Sequence, residues 1–412
     1  MKIVIAAVSS NTSISGVSRH AANIVRCLLT RNEITALHLL VAPWEYRHMC
    51  EAVSRLDSRL HIHAVHLRPG TVRRNLWYLN EVPAIARQLG ADLVHIAYPS
   101  PVNRSAYPCP VVVSLHDLYP LDIPSNFGFP KVLFNRAILR QCLRAVNAIA
   151  CVSDSTRLRL GIKDPQNLQK AITVHNCVEF NFRVARPALI EEWNGAPFIL
   201  CVAQHRRNKN LPLAIEVFKR LHSLKAIAAN TQLLIVGMAG PESSRIRRLM
   251  EQPELAQRIT LVHGISDPEL RWCYRNCELL LSPSITEGFG LPIAEAVLAG
   301  CRVICSDIPA YREIGARHCR LVPLDHDAED NFVEAVREAL KERRPVPAAL
   351  PQLSPTVIAE QYLHLYQALV AAPHAVSPAR AIPDRVEPRV RQVAVADKPA
   401  ARVTQPGVAG SL

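Results

Sequence analysis

Short apolar runs alternate with longer segments of helical period along most of the chain. In the first half, runs at 2–8 (KIVIAAV), 36–42, 59–67, 92–98 (DLVHIAY), 110–116 (PVVVSLH), 148–153 and 172–176 read as strands. The second half repeats the rhythm at 197–203 (PFILCVA), 232–238, 259–263, 278–282, 302–306 and 320–324. Between them, helical spacing predicts helices over 17–30, 72–89, 131–146 and 155–160, then over 210–225, 242–251, 267–275, 291–299 and 328–342. Strands that are apolar without alternation are covered on both faces, and the intervening helices supply the cover. The fold class this predicts is α/β, with two parallel, doubly wound, Rossmann-like sheets.

The rhythm breaks at "FRVARPALIEEWNGAP" (182–197), where prolines and a glycine predict a linker. This divides the chain into an N-terminal domain, 1–185, and a C-terminal domain, 186–353, whose shared cleft is a favoured ligand site. Segment 354–372 begins with Ser354 at an N-cap and Pro355 in the first turn, and predicts one more helix. From 373 to 412 the composition shifts to Pro, Ala, Val and Arg without period, which predicts a disordered basic tail.

A formal charge of +13 points to anionic partners: nucleotides, phosphates or an anionic membrane surface. Nucleic acid is not expected, because aromatics make up only 5% of the chain and no stripe interleaves them with basic residues. The opening "MKIVIAAVSSN" lacks the order of a signal peptide, and no apolar run is long enough to span a bilayer. The expected location is cytoplasmic, with peripheral attachment to the inner face of the membrane left open. Twelve cysteines without a Cys-x-x-Cys pair predict buried, reduced thiols and neither disulfides nor a metal site.

Ligands bind beyond the carboxyl ends of strands in such sheets, and four loops there carry chemistry. "SSNTSISGVSRH" (9–20) follows the first strand; Gly16 allows close backbone approach at a helix start that favours an anion. "LHDLYP" places His116 and Asp117 at a strand end, as a hydrogen-bonded structural pair or as reactive groups. "VAQHRRNKN" clusters Arg206, Arg207 and Lys209 before a helix, which suits a diphosphate or a solvated loop. In "ITEGFGLPIAEAVLAG" (285–300), Gly288 and Gly290 free the backbone ahead of a helix that opens at Pro292. The amides of Phe289, Gly290 and Leu291 are then free to donate to phosphate or sugar. Glu287 and Glu295 both address a ligand at that helix start. Glu295 is the only charge between Leu291 and Cys301, so it either finds a structural partner or faces a site.

The run "SITEGFGLPIAEAVLAGCRVICSDIPAYREI" resembles the Glu-x7-Glu signature of the family 4 retaining glycosyltransferases, which have the GT-B fold. "SGVSRHAANIVRCL", "ADLVHI", "VVVSLHD", "CVSDSTRLRL", "ITVHN" and "NKNLPLAIEVFKRL" resemble further family segments in the expected order. The resemblance implies a nucleotide-diphosphate sugar as donor substrate and a glycan or lipid-linked acceptor on the N-terminal side. No cofactor and no metal are implied. Glu287 would contact the donor hexose, Lys209 would meet the leaving diphosphate, and His116 would lie near the transferred sugar. Glu295 would hold the ribose hydroxyls, Phe289, Gly290 and Leu291 the sugar and phosphate, and Gly16 the diphosphate or acceptor side. The helix at 354–370 would cross back to the first domain.

Three positions depart from the family pattern. Gln204 stands where many members have arginine, so Arg206 or Arg207 would supply that charge. Asn176-Cys177 replaces the usual Asn-Gly, which predicts strain if the turn is left-handed. Gly300-Cys301-Arg302 alters only a turn. The reading is a metal-independent hexosyltransferase of cell-surface polysaccharide synthesis, with mannose ahead of glucose, galactose and rhamnose. A sugar-nucleotide epimerase or phosphorylase-like enzyme of the same fold is the enzymatic rival, and a basic nucleic-acid-binding protein the non-enzymatic one. Residues 68–89, with Leu76, Trp77, Tyr78 and Leu79 among arginines, are read either as a membrane-surface helix or as an ordinary helix with a core contact.

Overall fold

The computed structural model describes residues 1–10, 16–53, 57–179, 183–191 and 195–372. The tail at 373–412 and parts of the expected linker lie outside the described residues. Seven strands form a first sheet: β1 (Lys2–Ala6), β2 (Ala36–Val41), β3 (Leu60–Ala64), β4 (Leu93–Ile96), β5 (Val111–Leu115), β6 (Ala148–Cys151) and β7 (Ala171–Thr173). They are all parallel, in the order β3-β2-β1-β4-β5-β6-β7. Six strands form a second sheet: β8 (Phe198–Val202), β9 (Gln232–Val236), β10 (Ile259–Val262), β11 (Leu279–Ser282), β12 (Val303–Ser306) and β13 (Arg320–Val322). These too are parallel, in the order β10-β9-β8-β11-β12-β13.

The helices of the first half are α1 (Gly16–Leu29), α2 (Tyr46–Ala52), α3 (Thr71–Gln88), α4 (Tyr119–Asp122), α5 (Lys131–Ala145), α6 (Asp154–Lys163) and α7 (Ala188–Glu191). Those of the second are α8 (Leu211–Ser223), α9 (Ser243–Met250), α10 (Asp267–Asn276), α11 (Leu291–Leu298), α12 (Pro309–Gly315), α13 (Ala328–Lys341) and α14 (Pro355–Ala371). Every expected strand is present, trimmed at its ends. Helices α2, α4, α7 and α12 escape the sequence pattern because two turns or fewer cannot display a 3.6-residue period. Helix α7 falls inside the stretch read as a linker.

Strand periodicity sorts the core. Val4 and Ala6 of β1 face a cluster with Trp77, Tyr78 and Val82 of α3, while Ile3 and Ile5 face the opposite side with Ile24, Val25 and Leu28 of α1. On that second side α14 packs Ile358, Tyr362, Leu363 and Tyr366, all buried, so the last helix covers the first sheet. Each such large apolar side chain contributes about 1.5–3 kcal/mol when fully buried. The Tyr366 hydroxyl also meets His95 Nδ1 of β4.

In both sheets strand order reverses at one point, between β1 and β4 and between β8 and β11, and ligands bind in the crevice beyond such a point. The two halves touch there. The carbonyl of Gly288 accepts from Ser153 Oγ at 2.5 Å and Thr156 Oγ1 at 3.0 Å. Glu313 of α12 accepts from the amides of Asp154 and Ser155 at 2.8 and 3.0 Å, so a carboxylate of one half caps the positive end of α6 in the other.

The structure decides two alternatives that the sequence leaves open. Neither Asn176 nor Cys177 takes a left-handed conformation, so no strain arises there. Asn176 Oδ1 instead meets His20 Nδ1 at 2.7 Å, and the Cys177 carbonyl accepts from Asn23. Trp77 and Tyr78 of α3 are buried in the core and do not face a membrane. All twelve cysteines are free thiols, ten of them buried.

Candidate active site

The loop from β11 to α11 carries Glu287 at the strand-order reversal. Gly290 adopts φ +109°, closed to most side chains, and a Cβ there would lie 2.9 Å from the Tyr311 ring. At Gly288 a Cβ would lie 1.7 Å from the carbonyl oxygen of His116, so only glycine lets the halves approach this closely. Among the described residues, no group accepts from the amides of Phe289, Gly290 or Leu291. These amides lie at the start of α11, where an anion is favoured.

Glu287 is nearly buried and fully engaged. Lys209 Nζ donates to both of its oxygens, at 2.6 and 2.7 Å. Tyr119 of α4 and Tyr311 of α12 contribute their hydroxyls at 3.3 and 3.2 Å. Burial and the Glu287 charge push both phenols well above their ordinary range, so they remain protonated donors. Tyr311 is held by Ser282 and Ser284, and Tyr119 accepts from buried Asn208 at 3.1 Å. Sequence reasoning missed both tyrosines. Tyr119 lies in "LHDLYP" and Tyr311 in "IPAYREI", but nothing in either stretch announces a contact with Glu287.

Glu295 lies one turn inside α11. Tyr274 of α10 donates to its Oε2 at 2.8 Å. Desolvation raises its carboxyl above the usual carboxylate range, opposed by Arg19 and by the Tyr274 hydrogen bond. Arg19 comes from α1, three residues after Gly16, and forms a 2.5 Å ion pair with Asp267 at the start of α10. Gly16 lies one turn before Arg19, and among the described residues nothing stands within 4 Å of where its Cβ would be. The sequence reading overlooked Tyr274 and Arg19 as well.

His116 Nε2 meets the Ala97 carbonyl at 2.8 Å, and its ring stands edge-on to His20 at 4.4 Å. Burial lowers its pKa, which keeps the imidazole neutral. No hydrogen bond joins its side chain to that of Asp117, which instead accepts from the Tyr119 amide at 3.0 Å. Burial raises the Asp117 pKa, opposed by that amide and by the charges of Arg206 and Lys209. Arg206 is half-buried and its charge is felt at Asp117, whereas Arg207 is exposed.

Asp154, His175 and Glu313 bring ligand atoms within 4.8 Å of one another. Both Glu313 oxygens already accept from helix amides, His175 Nε2 lies 2.7 Å from one of them, and Asp154 accepts from Thr173. This trio ties the two halves together without needing an ion.

Two facing Rossmann-like sheets, a crevice between them and a last helix returning to the first sheet define the GT-B architecture. Solved structures agree on the fold: a sucrose-phosphate synthase from Thermosynechococcus elongatus (TM-score 0.63, 16% identity, 90% of this chain and 100% of that one), and Anabaena HepE in complex with UDP and glucose (TM-score 0.59, 14% identity, 90% and 95%). Residues 14–182 match the family described as Glycosyltransferase Family 4, and residues 190–351 match Glycosyl transferases group 1. The chain belongs to the family 4 glycosyltransferases of GT-B fold. It is 25% identical to the O-antigen chain mannosyltransferase RfbU of Salmonella typhimurium over 202 residues, 49% of this chain and 53% of that protein. With the O-antigen chain mannosyltransferase B of Escherichia coli it shares 22% identity over 339 residues, 76% and 84% of the two chains. The match thus spans about half the length of the first relative and most of the second.

Proposed function

We propose that this protein transfers a hexose, mannose foremost, from a nucleotide-diphosphate sugar to a hydroxyl of a glycan or lipid-linked acceptor, with retention and without a metal ion. The observation that carries the reading is the Glu287–Lys209 pair, set at the strand-order reversal beside three unengaged amides at a helix start. The donor's ribose hydroxyls would bind Glu295, and its diphosphate would take the amides of 289–291 and draw Lys209 and Arg206 toward it. As the bond from the anomeric carbon to the phosphate oxygen breaks, its electron pair goes to the diphosphate. The acceptor oxygen bonds to that carbon on the same face, and its proton passes to the departing phosphate oxygen. Preorganised cations and amides stabilise such charge more than water does, and Glu287 faces the positive charge that develops on the sugar.

The mannosyltransferase names of relatives support the sugar and the role in surface polysaccharide synthesis. Twelve free thiols suit a reducing, cytoplasmic location. The test is consumption of GDP-mannose, UDP-glucose, UDP-galactose and dTDP-rhamnose by the purified protein, with and without EDTA, and assignment of the product anomer by NMR. GDP-mannose should be consumed, with retention and no loss on chelation. Consumption of another donor would reassign the sugar. An inverted product, or loss on chelation restored by magnesium or manganese, would overturn the mechanism. Epimerised donor or a requirement for inorganic phosphate would establish the rival enzyme.

A further inference from the structure

Helix α5 shows solvent an unusual face. Its inner side, with Val132, Leu139, Cys142 and Leu143, is buried. Phe129, two residues before it, is 83% exposed, and Leu133 and Phe134 on its first turn are 52% and 45% exposed. Residues 133, 137, 140 and 144 share one side of the helix at spacings of four, three and four. That side is therefore apolar at its start and carries exposed Arg140 and Arg144 further on, flanking a groove of about 440 Å³. Among the described residues, no carboxylate pairs with Lys131, Arg140 or Arg144. The sequence holds no Asp or Glu from Ile123 to Ser153, but four basic residues: Lys131, Arg136, Arg140 and Arg144.

Large apolar side chains leading into unpaired arginines suit the boundary between acyl chains and anionic headgroups. The patch also adjoins the crevice. Asn126 donates to the Asn208 side chain at 3.2 Å, beside Lys209, and only two residues separate Asn126 from Phe129, a span of at most about 10 Å. We propose that the tip of α5, Phe129, Leu133 and Phe134 with Lys131, Arg140 and Arg144, docks on an anionic bilayer and brings the crevice to the membrane surface. The inference deepens the reading of a lipid-linked acceptor and rests on it for its purpose, although the binding stands or falls separately. It replaces α3 as the membrane-facing element, because the aromatic side chains of α3 are consumed by the core.

The experiment is co-sedimentation of the full chain with vesicles of phosphatidylcholine alone and of phosphatidylcholine mixed with phosphatidylglycerol, at low and high salt. The chain should bind the mixed vesicles at least tenfold more tightly, and added salt should weaken that binding. The triple variant Phe129→Ser/Leu133→Ser/Phe134→Ser and the variant Arg140→Glu/Arg144→Glu should each lose at least tenfold. Both variants should keep the wild-type melting temperature and the wild-type rate of donor hydrolysis in solution. Equal binding by wild type and folded variants, or no binding to mixed vesicles, would overturn the proposal. So would a dimer of the free chain that the triple variant dissolves, because the patch would then cover a second copy. Vesicle binding without turnover of any nucleotide sugar would sink the transferase reading alone.

Discussion

Lys209 closes on both carboxylate oxygens of Glu287, at 2.6 and 2.7 Å and across 78 residues of sequence. The cation assigned to the departing diphosphate and the carboxylate assigned to the hexose thus neutralise each other until a donor separates them. Burying either charge alone is costly, and the mutual pair is what makes it tolerable to hold both.

Glu287→Gln keeps the shape and removes the charge proposed to face the reacting sugar. Turnover should fall at least a hundredfold, or about 2.7 kcal/mol, while donor affinity changes only a few-fold. Single-turnover rates and calorimetric donor titration separate the two effects. A wild-type turnover number would end the assignment of Glu287.

Glu295 carries a buried carboxyl whose proton is linked to folding. Its folded pKa is raised, so the folded state holds its proton more tightly than the unfolded chain does. That contribution is full below the unfolded pKa and is lost as pH rises through the folded one. Glu295→Gln should therefore melt higher than wild type at neutral pH, with the gap closing in acid, and should bind donor more weakly. A variant that melts lower at neutral pH, with unchanged donor affinity, would assign Glu295 a structural role.

The loop after β8 holds three cations that sequence does not rank. Lys209→Ala should slow transfer about a hundredfold, in line with roughly 2–4 kcal/mol for a lost transition-state donor. Arg206→Ala should approach it, because Arg206 is half-buried and its charge is felt at buried Asp117. Exposed Arg207 should be nearly silent. A silent Arg206 alongside a crippled Arg207→Ala would mean that the diphosphate lies on the outer side of the loop.

Gly288→Ala would push a methyl group into the His116 carbonyl oxygen, 1.7 Å from its ideal position. The two halves would then have to part at this contact. Transfer should fall by more than tenfold with little change in melting temperature, since each sheet keeps its own core. Unchanged transfer would show that the reaction proceeds with the halves further apart.

Much of the architecture was legible because continuous apolar runs and a 3.6-residue period carry it. The switch from apolar runs to amphipathic spacing marks all thirteen strands, while helices of two turns or fewer leave no trace. Glu287, Glu295 and the glycines between them were legible because backbone freedom next to carboxylates in an apolar run has few structural uses. Tyr119, Tyr311, Tyr274 and Arg19 were not, since each reaches its carboxylate from a separate element.

Local sequence by itself determined which segments become strands and helices, and therefore two parallel sheets with loops at their carboxyl ends. It also determined where the left-handed turn before α11 falls, since side-chain volume and backbone torsion are properties of single residues and near neighbours. Which charge meets which was decided only by the tertiary structure. Lys209 neutralises Glu287, Arg206 is half-buried while Arg207 is exposed, and Trp77 is buried while Phe129 is left in water. Coulombic and hydrophobic energies depend on distance in space and on the dielectric around a group, and the chain acquires both only when its distant segments pack together.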